Sequence, residues 1–144
     1  MNEHITASAI ISFCSDWEDQ AARFYETLAV KFPAQSAAFR AMAGECAKHK
    51  ALVLRTYQET VSDILETGYA FSGLKPEVYL VPLEIPGGAV LEQAKQQAVK
   101  LETNAVAFYQ EVAMRSKSLL ATIPRAFQKV AAKRQDRLTQ LENL

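Results

Sequence analysis

Cysteine is scarce in this chain, and net charge is missing altogether. Cys14 and Cys46 are the only two thiols in 144 residues. Two are too few for a disulfide framework, so a reducing cytoplasm is the expected compartment. Sixteen basic residues cancel sixteen acidic ones. A balanced chain lacks the broad positive field that nucleic-acid binders need, so no nucleic-acid partner is expected. No uncharged run reaches the ~18–20 residues that would cross a bilayer, so no membrane partner is expected either. The apolar stretch from Ala7 to Cys14 has no basic leader and follows Glu3. It reads as the start of a helix and not as a secretion signal. There is no Gly-rich phosphate loop after a strand, no supported Ser-His-Asp arrangement and no Cys-x-x-Cys pair.

What is present is a helical protein. At 49% hydrophobic and 22% charged, the composition is that of one folded domain spanning residues 1–144. The few glycines and prolines gather mostly between Gly68 and Gly88, with Pro33 and Pro124 standing apart. They divide the chain into four helices at about 6–31, 36–66, 88–117 and 123–142. In the first, Ile10, Cys14, Trp17, Ala21, Phe24 and Leu28 recur at steps of three and four, which marks a buried stripe. Phe39, Met42, Cys46, His49 and Val53 form the stripe of the second, with Gly68 in the position of a terminating residue. The third carries Leu91, Ala94, Ala98, Leu101, Ala105, Phe108 and Val112, and the fourth Phe127, Val130, Arg134, Arg137 and Leu141. Thr122 is the expected N-cap of the last helix, with Pro124 in its first turn.

Helices 1 and 2, and helices 3 and 4, are joined by a few residues, so each pair is expected to be antiparallel. About twenty residues link helices 2 and 3. The proline-broken segment from Pro76 to Pro86 reads as an extended crossover packed on the bundle.

The two halves of the chain repeat one another. Glu18-x-x-Ala21-x-x-Phe24-Tyr25 recurs as Glu102-x-x-Ala105-x-x-Phe108-Tyr109. Phe39-x-x-Met42-Ala43-x-x-Cys46-x-x-His49 corresponds to Phe127-x-x-Val130-Ala131-x-x-Arg134-x-x-Arg137. A duplicated helical hairpin accounts for both. From Thr6 to Leu141 the pattern resembles the rubrerythrin-like branch of the ferritin-like proteins. That resemblance implies an all-α, ferritin-like four-helix bundle of two antiparallel hairpins joined by a long crossover. It also implies a pair of irons held by one Glu from helices 1 and 3 and a Glu-x-x-His pair from helices 2 and 4, metal that reacts with oxygen or peroxide or is stored. Glu18 and Glu102 match the lone glutamates, and His49 matches the first histidine.

Three of the six ligand positions depart from that pattern. Cys46 replaces a Glu, and Arg134 and Arg137 replace the second Glu-x-x-His pair. A guanidinium has no lone pair for a metal and repels its charge. The site is therefore expected to be degenerate, with Glu18, Cys46, His49, Glu102, Arg134 and Arg137 clustered in the core. Tyr25, Tyr109 and Cys14 would surround that cluster. Two carboxylates against two guanidinium groups sum to zero, as a dry interior requires. The ordinary alternative is a solvated face for all four charges, and the half-to-half correspondence argues against it.

Two function classes follow. One is a metal-free structural, assembly or small-molecule-binding protein, with no catalytic residue and no cofactor favoured. The other is a metal-binding oxidoreductase with iron at Glu18, Glu45, His49 and Glu102, or with zinc at Cys14, Cys46 and His49. A disulfide between Cys14 and Cys46 fits poorly, since the two should lie about a helical turn apart. The resemblance also implies a homodimer, for which the Tyr57, Val61, Leu65 and Tyr69 stripe is the candidate face.

Overall fold

The computed structural model describes residues 4–60, 70–72, 74–115 and 122–144. The chain is all-α, built on α1 (Ala7–Lys31), α2 (Ser36–Thr60), α3 (Leu91–Arg115) and α4 (Thr122–Glu142). Gly68, Val61, Leu65, Tyr69 and the expected ends of helices 2 and 3 lie outside the described residues.

Local chemistry accounts for the helix ends. Thr6 Oγ1 accepts from the Ala9 N–H at 3.1 Å, satisfying a donor that the first turn of α1 leaves open. At the other end the Phe32 N–H donates to the Leu28 carbonyl, and Pro33 then prevents continuation. A single 3₁₀ turn, Pro33–Gln35, leads straight into α2. Helix α3 begins three residues later than the spacing suggests, because a turn occupies Gly87 and Gly88. The Val90 N–H donates to Gln93 Oε1, and the Val90 carbonyl accepts from Ala94.

One feature of the fold was not expected from the sequence. His4–Thr6 (β1) pairs antiparallel with Ala70–Ser72 (β2), with Ile5 opposite Phe71. The ribbon ties the chain ahead of α1 to the segment that follows α2.

Cross-helix contacts define the packing sense. Between α1 and α2, Asp19 meets Lys50 and Phe32 meets Phe39. Between α3 and α4, Lys95 donates to the Leu144 carbonyl and Tyr109 packs on Phe127. As one member of each set advances the other recedes, so both pairs are antiparallel. Contacts between α1 and α3 also run in opposite senses, from Tyr25–Glu102 to Tyr109–Glu18.

The segment ahead of α3 is not extended throughout, because Pro76–Tyr79 forms a 3₁₀ turn. It lies along α3, where amide side chains satisfy its carbonyls. Asn104 donates to Tyr79, and Gln97 donates to Pro82 and Glu84. The Tyr79 ring meets Phe108 edge-on at 5.4 Å. Among the described residues no helix is long and apolar enough to cross a membrane.

Candidate functional site

All four stripes converge on one buried cluster of charges. Glu18 comes from α1, Cys46 and His49 from α2, Glu102 from α3, and Arg134 and Arg137 from α4. All six side chains are buried, Cys46, Glu102 and Arg137 completely.

Arg134 is the hub. One guanidinium nitrogen donates to Glu102 Oε2 at 2.6 Å and the other to Glu18 Oε1. A planar, permanently charged fork is suited to two carboxylates arriving from different helices. The duplicated tyrosines complete the arrangement reciprocally. Tyr25 donates to Glu102 Oε2 and Tyr109 to Glu18 Oε2, each at 2.6 Å. Each half of the repeat thus supplies a phenol to the carboxylate of the other half.

Arg137 finds a partner absent from the two-against-two charge count. Its NH2 donates to Glu45 Oε2 at 2.5 Å, and its NH1 lies 3.7 Å from Glu102. Arg134 holds both central glutamates, so the second guanidinium requires a further acceptor. Glu45 supplies it from the edge of α2, with its side chain one-third exposed. No local sequence signal links Glu45 to a residue ninety-two positions away. The Arg137 guanidinium also lies 5.5 Å from the Tyr25 ring centroid, within cation–π range.

Protonation follows from burial and charge. Burial alone would weaken the hold of Arg134 on its proton, but Glu102 and Glu18 outweigh it and raise the group well above its usual range. Arg137 is shifted upward as well: burial opposes the shift and Glu102 drives it. Burial raises the Glu18 carboxyl despite the opposing pull of Arg134 and Tyr109. Burial followed by the neighbouring carboxylate pushes Tyr25 and Tyr109 well above the ordinary phenol range, so both remain donors. His49 moves the other way, down to about 3, through burial and the charges of Arg134, Arg137 and Lys133. It is neutral at pH 7, with Nδ1 3.8 Å from Glu18 and no hydrogen-bond partner.

The cysteines are inert in this setting. Both are buried and free. Burial, then Glu18, pushes the Cys14 thiol well up. Burial takes Cys46 to about 11 even with Arg137 NH1 at 3.5 Å and Arg134 NH2 at 3.8 Å from its sulfur. A reactive cysteine needs a depressed pKa and access, and neither thiol has them.

Comparison of the chain with protein-family models, curated proteins and solved structures finds no match. A diiron pair does not fit these residues. Three of the four Glu18 and Glu102 oxygens accept from Arg134, Tyr25 and Tyr109 instead, with Glu102 Oε1 left without a hydrogen-bond partner, and the Arg134 guanidinium lies between the two carboxylates. Among the described residues no three His, Cys, Asp or Glu side chains converge as a ligand set. Glu45 points to Arg137, which separates it from the iron set of Glu18, Glu45, His49 and Glu102. The zinc set of Cys14, Cys46 and His49 is likewise not brought together.

Proposed function

We propose that this protein is a ferritin-like bundle of rubrerythrin type that has lost diiron chemistry and serves as a structural or binding protein. The observation that carries this reading is Arg134 donating to Glu18 and Glu102 at once. A fixed cation performs the electrostatic task of the metal, which is to neutralise carboxylates converging from different helices.

The packing senses support the ferritin-like assignment. With α1 antiparallel to both α2 and α3, helices α2 and α3 run parallel. A parallel pair needs a connection that travels the length of the bundle, and the segment lying along α3 fits that crossover. The reciprocal phenol–carboxylate bonds support descent from a duplicated hairpin.

Metal analysis with a back-substituted variant tests the proposal. Protein purified without chelator should contain no stoichiometric iron or zinc, and should not oxidise ferrous iron above a protein-free control. The triple variant Cys46→Glu, Arg134→Glu, Arg137→His recreates the full ligand set and should gain metal-dependent stability, since ligands that bind only the folded state stabilise it. Stoichiometric metal in the wild type, lost in His49→Ala, would overturn the reading in favour of a remodelled oxidoreductase site.

A further inference from the structure

Residues of α2 and α4 line a cleft of about 380 Å³ beside the core cluster. Its walls carry Lys48 and Arg55 from α2, and Lys129 and Lys133 from α4. The helical spacings explain the grouping. Lys48, Leu52 and Arg55 share one face of α2, and Lys129 and Lys133 are one turn apart on α4. The antiparallel pairing of the two helices brings these faces together.

The four cations line one cleft. Among the described residues none of them has a carboxylate within 4 Å, whereas Lys50, Arg115, Arg134 and Arg137 each do. Glu45 also lines the cleft, but its charge is answered from the core side by Arg137. The protein as a whole is neutral, so this is a local concentration of positive charge. Like charges facing one another across a concave surface focus the field and attract anions.

Two further features define the occupant. Leu52 and Val130 give the cleft an apolar wall. His49, almost wholly buried, lines the same cleft and lies with Nδ1 3.8 Å from Glu18 of the core cluster. The volume lies within the range of small-molecule sites, in which apolar walls accompany a few placed polar groups. A concave site of this size does not track a nucleic-acid backbone. Lysine ammoniums act as point charges toward phosphate, and the Arg55 fork grips its oxygens in pairs.

We propose that this cleft binds a small organic phosphate carrying two or more negative charges, with its apolar portion against Leu52 and Val130. The site shares Glu45 and His49 with the core cluster but does not depend on whether metal binds there, so its failure would leave the metal-free reading standing.

Calorimetric and NMR titration of the full chain tests the proposal, with adenosine diphosphate, inorganic phosphate and citrate as probes at one fixed ionic strength. Adenosine diphosphate should bind saturably, about tenfold or more tighter than the other two, and should shift the His49 ring resonances. Lys129→Gln and Lys133→Gln should each weaken it about tenfold, whereas Lys100→Gln on α3 should leave it unchanged. Absence of saturable binding, an equal loss in Lys100→Gln, or citrate binding as tightly as the nucleotide would each overturn the proposal.

Discussion

Replacing Arg134 with methionine should be among the most damaging single changes available to this protein. The side chain keeps roughly its length and its packing but loses the charge shared by Glu18 and Glu102. Those carboxylates, 2% and 0% exposed, would retain only one phenol each and the more distant Arg137 as support. Breaking a buried ion pair by removing one partner costs about 3–5 kcal/mol, because an uncompensated charge stays behind. For a domain with a total stability of roughly 5–15 kcal/mol, that is a large fraction. The expected fall in Tm is on the order of 10 °C. The companion variant Arg134→Met, Glu18→Gln, Glu102→Gln removes the stranded charges as well and should recover much of the loss. Chemical denaturation of wild type, single and triple variants at pH 7 measures both quantities. A single-variant cost under about 1 kcal/mol, the level of an exposed ion pair, would refute the reasoning. So would a triple variant less stable than the single.

Three other outcomes are expected. Tyr25→Phe and Tyr109→Phe should each cost about 1.5–3 kcal/mol and nearly the same amount, since both remove a 2.6 Å bond to a buried carboxylate; unequal losses in urea melts would contradict the reciprocal arrangement. The folded-state pKa of His49 is depressed from 6.5 to about 3, so its contribution to stability is present above pH 6.5 and is lost as pH falls toward 3. Relative to His49→Gln, the wild type should lose up to a factor of ten in folding equilibrium per pH unit across that window. The Glu18 shift acts in the opposite direction but is common to both proteins, and parallel stability curves would rule the account out. Sedimentation should give a homodimer, and a 16.0 kDa monomer would remove that expectation.

The inward stripes were legible because helical periodicity is local. A residue three or four positions from a buried neighbour faces the same way, whatever the rest of the chain does. The repeat then identified which positions of the two halves correspond. Glu45 shows the complementary limit. Its partner, Arg137, lies on another helix ninety-two positions away, which no local spacing signals. Lys129 and Lys133 lie one turn apart on α4, but only the tertiary structure brings Lys48 and Arg55 of α2 to the same cleft.

The amino-acid sequence alone determined that four helices form and that Glu18, Cys46, His49, Glu102, Arg134 and Arg137 turn inward. It also determined that two of the inward positions carry permanent cations, Arg134 and Arg137. Only the tertiary structure decided that Arg134 bridges both glutamates, that the tyrosines cross over between halves and that Arg137 takes Glu45. Those bonds join residues 32 to 116 positions apart, from Arg134–Glu102 to Arg134–Glu18. Such pairings depend on how four helices are rotated and set in height against one another, which no local spacing records.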